Sequence, residues 1–410
     1  MTGLPRSDGL SRCSTAAKKA SRSRCRIDAV VRTDPLNQEA PTTAERPTGA
    51  RRIVGHFPST GAAGPPSSTG SSTRRRGTWV GAGSVPVMDD IERTLTSARL
   101  SARTPDDLAA FVPLALGFVP ERSVVMVSVG APGPMNARVT LPHDPDDVDD
   151  LVEALLRPAR LNQVSEVVVL VYDDDTTVAD EAAWSIHEEF TAAGIRVHEV
   201  LRVHDQHWYA VLPGAPLAAY QGVPFSLDSH RFTAQGVLEG RVTHPSREAL
   251  RATIATDDRA ASLLAPTLDG AAELPAGALC ALVRRHLELG TRFSGAELAA
   301  VSVSLRTGQL RDEAWVWLGR EQARAAVELW SDAVRRLPAT HVAGAAAVLG
   351  FCAWLAGDGA LAWCAVDRCH EVEPTHSLGG LVAQLLDSAT SPAQWEVLRP
   401  RLTASGDPAA

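Results

Sequence analysis

The chain has 410 residues, with 40 Lys or Arg against 48 Asp or Glu, and its formal net charge at pH 7 is −8. Residues 1–87 hold 14 basic and 5 acidic side chains, so this segment carries +9 and the rest of the chain carries −17. Because a body this acidic repels a phosphate backbone, we expect it not to bind nucleic acid.

Lysine occurs only at Lys18 and Lys19, so the acidic body contains none. Phosphate-binding loops, Schiff-base enzymes and Ser–Lys dyads each need a lysine amine at the site, and the body therefore cannot use these mechanisms. The motifs GxSxG, HExxH and a strand-linked GxGxxG are also absent from the sequence. Serine-hydrolase, zinc-protease and dinucleotide-binding functions consequently have no motif support.

Residues 1–87 are rich in Ser, Thr, Arg, Gly and Pro, without the apolar period of a helix or a strand. Such a composition cannot bury enough apolar surface to offset the entropy of ordering the chain, so the segment is predicted to be a disordered arm. We interpret it as dispensable for the fold, with Met88 as the true start. The alternative is an organelle transit peptide, which is also rich in Arg and Ser and poor in acids.

Residues 88–225 predict an α/β domain. A helix is expected up to Leu116, because Thr104 is a good capping residue followed by proline and two acids. The later elements expected are strands at 123–129 and 136–141, a helix from 144, a strand at 167–171, a helix at 178–193, and strands at 195–203 and 207–212. Strand, helix and strand at this spacing imply a crossover, so the sheet should be mixed, partly parallel and flanked by helices.

Beyond the α/β domain the pattern is all helical, with a connector region at 226–306 and a repeat-like region at 307–400. Two units share small, aromatic and proline residues at equal offsets: Ala314, Trp317, Ala326, Trp330, Ala333 and Pro338, then Gly350, Ala353, Ala362, Val366, Cys369 and Pro374. This spacing resembles the tetratricopeptide helix–turn–helix unit, in which small residues let two antiparallel helices approach closely.

Four short segments carry a resemblance to a known family. They are LALGFVPERS at Leu114–Ser123, VYDDD at Val171–Asp175, PSRE at Pro245–Glu248 and AGDGALA at Ala356–Ala362. Over about residues 95–390 the chain is similar to the actinobacterial "domain of unknown function 4192" proteins. The resemblance implies a shared fold and an actinobacterial cytosol, and it implies no activity.

The candidate metal site is the acidic run at the carboxyl end of the apolar strand 167–171. Ligands of open α/β sheets bind beyond such strand ends. Side chains alternate along an extended chain, so Asp173 and Asp175 are predicted to point the same way and to share a divalent cation. The simpler interpretation is that these acids cap the following helix and face its dipole.

A second candidate is the loop after the first helix, where Glu121 and Arg122 stand side by side. Functional residues favour loops of this kind. The alternative is a structural turn, in which Gly117 ends the helix and Phe118 packs inward. The weak catalytic candidates are therefore Asp173, Asp175, Glu121 and Arg122, and no cofactor other than a divalent cation is predicted.

The six cysteines form no CxxC pair, and no apolar run reaches the roughly 18 residues of a membrane span. We also find no signal-peptide pattern, and we therefore expect a cytoplasmic protein with reduced thiols and no membrane contact.

Two hypotheses on function follow. The first is a binding or scaffolding module that contacts a protein through its helical tail, because stacked helix pairs offer concave partner surfaces. The alternative is a metal-dependent enzyme acting on a small phosphorylated or anionic substrate. Convergence of the four candidate residues on one cleft would favour the enzyme.

Overall fold

The computed structural model describes residues 27–31, 102–130 and 135–404. Its centre is a seven-stranded mixed sheet with the spatial order β1-β3-β2-β4-β5-β6-β7. The strands are β1 (Ile27–Val31), β2 (Ser123–Val129), β3 (Asn136–Thr140), β4 (Glu166–Tyr172), β5 (Arg196–His204), β6 (His207–Ala210) and β7 (Val223–Pro224).

Only β4 and β5 pair in parallel within this sheet, and the other neighbours are antiparallel. The predicted crossover between them is confirmed, because the chain passes from β4 through a helix into β5. Ser123 at the start of β2 lies opposite Tyr172 at the end of β4, and Tyr172 lies beside Val203 of β5. The beginning of β2 and the carboxyl ends of β4 and β5 therefore lie side by side at the same end of the strands.

Fifteen α-helices occur in the described residues, which confirms the prediction of an α/β part followed by a helical part. They are α1 (Pro105–Leu116), α2 (Val148–Leu161), α3 (Thr176–Ala192), α4 (Leu217–Gln221), α5 (Arg231–Leu238), α6 (Arg247–Ala252), α7 (Asp258–Leu268), α8 (Ala278–Leu289), α9 (Gly295–Ser304), α10 (Gly308–Asp312), α11 (Arg320–Arg336), α12 (Ala343–Leu355), α13 (Gly359–Val372), α14 (Ser377–Asp387) and α15 (Pro392–Ala404).

The two faces of β4 supply two different hydrophobic cores. Val167, Val169 and Val171 point to the core that contains the apolar faces of α2 and α3. The intervening Val168 and Leu170 point to a larger core that also contains α1 and the helical region. A strand covered on both faces reads as a continuous apolar run, which is why β4 is recognisable from sequence.

Helix α1 is fixed at both ends. Its N-cap is Thr104, whose side chain accepts a hydrogen bond from the Asp107 amide, and its C-cap is Gly117 in the left-handed region at φ 77°. The buried Asp107 carboxylate accepts hydrogen bonds from the Arg231 guanidinium of α5 at 2.8 and 3.2 Å. This pairing of a fork-shaped donor with a carboxylate holds α1 against α5.

The two predicted helical repeat units differ in the structure. The second unit contains the expected helix pair, with α12 and α13 separated by a short turn. In the first unit, Ala314 and Trp317 lie in turns between α10 and α11 instead of on a helix. A new helix starts beyond them because Gly319 caps α11, with its amide donating to the Gln322 side chain at 2.8 Å.

The prediction of a wholly disordered arm at residues 1–87 is wrong for Ile27–Val31, which forms β1. This short run is rich in β-branched and apolar residues, which favour strands. It pairs antiparallel with β3 and ends the sheet on that side. The rest of the predicted arm lies outside the described residues, and so does Met88, the predicted start. The division at 88–225, 226–306 and 307–400 stays a prediction.

Within the parts of the chain that the structure describes, we find no helix with both the length and the hydropathy needed to cross a membrane. Cys280, Cys352, Cys364 and Cys369 are free thiols. Burial raises the pKa of Cys352, and it raises the pKa of Cys364 to about 11, so both thiols are held protonated at neutral pH. Cys13 and Cys25 lie outside the described residues.

Candidate functional site

A cleft of about 530 Å³ opens beyond the carboxyl ends of β4 and β5. Its walls come from α1, the loop between α1 and β2, the turns after β4 and β5, and the segment after β7. The residues that line it are Ala109, Pro113, Val119, Pro120, Glu121, Arg122, Tyr172, Asp173, Asp174, Val203, His204, Asp205, Gln206, Phe225 and Leu227. This is the position at which open α/β sheets place their ligands.

The loop from α1 to β2 is a structural turn that also forms one wall of the cleft. Gly117 ends the helix, and Phe118 is buried at 1% exposure, as the structural alternative predicted. The same loop ends at Arg122, whose φ of 41° lies in the left-handed region that only few non-glycine residues adopt. The turn thereby brings Glu121 and Arg122 to the rim.

Asp173 is the buried acid of the cleft, with a side chain that is 1% exposed. Its Oδ1 accepts a hydrogen bond from the Asp175 amide at 2.8 Å, which closes a turn at the end of β4. Its Oδ2 is buried without a hydrogen bond, and the nearest cation is Arg122 Nη1 at 3.6 Å. That separation permits an ionic contact but exceeds hydrogen-bond range.

The Arg122 side chain is 41% exposed, and its guanidinium makes a second contact away from the acid. Its Nη2 donates to the carbonyl oxygen of Pro142 at 3.3 Å. The guanidinium is thus shared between a carboxylate and a backbone carbonyl, and it does not make the two-pronged hydrogen-bonded pair that arginine forms with carboxylates at closer range.

Asp175 is not among the residues that line the cleft. Its side chain accepts a hydrogen bond from the Thr177 amide at 2.9 Å and so caps α3, as the simpler interpretation predicted. Three of the four candidate residues, Glu121, Arg122 and Asp173, do meet at the cleft. Within the described ranges, no group of three or more His, Cys, Asp or Glu side chains is placed to hold a metal ion.

Tyr172 forms part of the cleft floor and is not among the residues predicted from the sequence. The residue is 6% exposed, and its hydroxyl is buried without a hydrogen-bond partner. Burial raises the pKa of this phenol, so the hydroxyl stays neutral and can both donate and accept. Its position directly before Asp173 at a strand end was the available signal.

Charge around the cleft is unbalanced. Carboxylates come from Glu121, Asp173, Asp174 and Asp205, whereas Arg122 is the one guanidinium among the lining residues. The apolar part of the lining, called here the apolar wall, consists of Ala109, Pro113, Val119, Phe225 and Leu227. The cleft therefore combines a negative rim with a hydrophobic wall, and it suits a ligand with a positive or donor-rich head and an apolar body.

A second cleft of about 490 Å³ lies in the helical region, beside α8 and α11. Its histidine and its aspartate are paired within the protein. His286 Nδ1 lies 2.8 Å from Thr291 Oγ1, and Asp332 contacts Arg292 at 3.1 Å and Arg336 at 2.9 Å. A ligand there would have to displace existing bonds, so the cleft beyond β4 and β5 is the better candidate.

At the opposite, amino-terminal end of the parallel pair, both carboxylate oxygens of a glutamate have partners. Glu166 Oε2 lies 2.6 Å from His198 Nε2, and Glu166 Oε1 lies 3.4 Å from Arg196 Nη1. This group is not predicted from the sequence. Its residues are far apart in the chain, and only the parallel register of β4 and β5 brings them together.

Fold and cleft together define an α/β protein with a ligand-sized cleft beyond its parallel strands. A family model described as a domain of unknown function (DUF4192) matches residues 105–393, most of the chain, and the chain therefore belongs to this family. No curated protein matches the chain significantly, and no solved structure does so either.

Proposed function

We propose that this chain is a binding protein that holds a small ligand in the cleft beyond β4 and β5 and uses its helical region as a scaffold for a protein partner. The proposal extends the first of the two hypotheses drawn from the sequence. Its support is the chemistry of the cleft, because the fold alone implies no activity.

One observation carries the proposal. The Tyr172 hydroxyl and Asp173 Oδ2 are buried without hydrogen bonds, and both residues line the same cleft. A buried polar group without a partner costs about 1–3 kcal/mol, so folded proteins keep few of them. None of the other described side chains with such an atom lines either of the two clefts. A ligand that pairs with both groups would recover part of that cost on binding.

The scaffold part of the proposal rests on the helical region. Helix α15 buries Trp395 yet leaves Val397, Leu398 and Leu402 between 49% and 64% exposed. Apolar side chains on a terminal helix fit contact with another protein better than contact with water. A tetratricopeptide-like organisation, a cytoplasmic location and an actinobacterial source belong to the same proposal.

A metal-dependent enzyme acting on a small anionic substrate is the second candidate. It is favoured by one observation, namely that Glu121, Arg122 and Asp173 line one cleft together with Asp174. If a divalent cation binds there, magnesium or manganese at a hundredfold excess over the dissociation constant should stabilise the fold by about 2.7 kcal/mol. Asp173→Asn should abolish that rise in melting temperature, whereas Asp175→Asn should keep it.

The binding proposal is tested by ligand-observed NMR with small fragments that carry cationic, neutral or anionic heads. The parent chain is compared with the double variant Tyr172→Phe, Asp173→Asn, which keeps the shape of both side chains. We expect some fragments to bind the parent and to lose affinity for the variant, with circular dichroism showing that both are folded. Equal binding to both proteins, or no binding to the parent, would refute a ligand site in this cleft.

A further inference from the structure

The buried Asp173 carboxylate already faces a cation inside the protein. Arg122 Nη1 lies 3.6 Å from Oδ2, and no N–H or O–H group of the described residues donates a hydrogen bond to that oxygen. In this pair the Asp173 side chain is 1% exposed, whereas the Arg122 side chain is 41% exposed. Arg122 therefore neutralises the carboxylate from the solvent side without filling its hydrogen-bonding capacity.

Arg122 is a weak occupant of this position. Its Nη1 lies beyond hydrogen-bond range of Oδ2, and its Nη2 donates instead to the Pro142 carbonyl at 3.3 Å. A half-exposed arginine changes rotamer on a fast timescale, so a competing donor can reach Oδ2 once the guanidinium turns outward. An N–H donor at hydrogen-bond distance from Oδ2 would make the stronger, charge-assisted contact.

The rest of the cleft indicates what kind of donor fits. Glu121, Asp174 and Asp205 are exposed acids on the rim, and they attract a positive head and repel an anion. The Tyr172 hydroxyl offers a further acceptor on the floor. A bare metal ion would make no use of the apolar wall of the cleft, which includes Phe225 and Leu227, whereas an alkyl chain would bury itself there.

We infer that the cleft binds an organic amine, with the protonated amino group replacing the Arg122 guanidinium at Asp173 Oδ2 and the alkyl body against the apolar wall. This inference rests on the proposed binding function and specifies its ligand class.

Two substitutions of opposite charge give the inference its test. Asp173→Asn removes the negative charge and still accepts the turn hydrogen bond from the Asp175 amide. Arg122→Gln removes the competing cation and uncovers Oδ2. Amine binding should weaken in the first variant and strengthen in the second, a pattern that general loss of structure cannot produce. Asp175→Asn is the matched control, because it makes the same change two residues away and outside the cleft.

The experiment is a ligand-observed NMR titration of the full chain with n-butylamine and 1,4-diaminobutane, alongside n-butyrate, 1-butanol and magnesium chloride. We expect both amines to bind the parent, and we expect Asp173→Asn to raise their dissociation constants about tenfold or more, since a hydrogen bond between charged groups is lost. Arg122→Gln should lower them severalfold, and Asp175→Asn should leave them within about twofold of the parent. If Asp173→Asn does not fold, Asp174→Asn on the exposed rim should still weaken amine binding.

Four outcomes overturn the inference. Butyrate binding that depends on Arg122 would make the ligand anionic, and 1-butanol binding as tightly as butylamine would make the charge irrelevant; both results leave a binding cleft in place. Magnesium binding lost in Asp173→Asn would favour the metal-dependent enzyme. Failure of both amines to bind the parent would reject the amine class, while the broader fragment comparison between the parent and the double variant decides on the binding function itself.

Discussion

The buried face of helix α11 is closed, whereas the end of the sheet is open. In α11 the residues Ala326, Trp330 and Ala333 are 0% exposed, and the Trp330 ring packs edge-on against Phe293 at 5.6 Å between centroids. At the sheet end, by contrast, Tyr172 and Asp173 border a cleft of about 530 Å³. Small residues let these helices pack too closely to leave room for a ligand. Strands that end side by side instead leave a space that only their loops can fill. Substitutions that add volume or charge should therefore lower the free energy of unfolding more on the buried face of α11 than at the cleft.

The largest effect is expected in the closed region. Ala333→Glu would bury a charged side chain without a partner, and it should lower the free energy of unfolding by more than about 3 kcal/mol. Ala325→Glu on the exposed face of the same helix is the matched control and should melt within about 0.5 kcal/mol of the parent. Thermal melts followed by circular dichroism check both, and equal melting of the two variants would show that Ala333 does not face the core.

The next effect concerns an acid within the sheet. Burial raises the pKa of Glu199 from its usual 4.5 to about 7. Because the folded state holds this proton more tightly than the unfolded state, the stabilising contribution is fully present below about pH 4.5 and is lost as the pH rises through 7. Glu199→Gln should therefore stabilise the protein at pH 8, by at most about 3 kcal/mol, and should change little at pH 4.5.

The measurement is the difference in melting temperature between Glu199→Gln and the parent at the two pH values. Glu189→Gln on the exposed part of α3 is the matched control for the substitution itself. A Glu199→Gln variant that is equally stabilised or destabilised at both pH values would contradict a raised pKa.

A smaller effect is expected at the other edge of the sheet. Deleting residues 1–31 removes β1 and leaves the hydrogen-bonding edge of β3 open to water. We expect the melting temperature to fall by about 1–2 °C, the shift that about 1 kcal/mol produces when the entropy of unfolding scales with a chain of 410 residues. Deleting residues 1–26 keeps β1 and is the control, and an equal fall for both deletions would argue against a role for β1.

The smallest effect should come from Tyr172→Phe in the absence of ligand. The variant removes a buried hydroxyl that has no partner, so stability should stay the same or rise by up to about 1 kcal/mol. Stability is measured by denaturant titration. A fall of more than about 1 kcal/mol in the free energy of unfolding would mean that the hydroxyl is hydrogen-bonded in the free protein.

Much of the fold can be predicted from sequence because its signals are local. The run Ser123–Val129 matches β2, and the cap at Thr104 with the stop at Gly117 bounds α1 correctly. Both depend on the order of apolar residues and on the geometry of one or two turns. The strand Ile27–Val31 was missed because five residues in a polar, proline-rich context carry too little local signal, and their partner strand is more than a hundred residues away.

The candidate site divides along the same line. Sequence alone determined that the chain is an α/β protein with a helical continuation, that Asp173 and Asp175 follow a buried strand, and that the body has no lysine chemistry. Only the tertiary structure decided that Asp175 turns away to cap α3 and that Asp173 meets Arg122. The physical reason is that capping needs only the next turn of the chain, whereas burying a carboxylate beneath a guanidinium needs the antiparallel register of β2 and β4, which no single segment specifies.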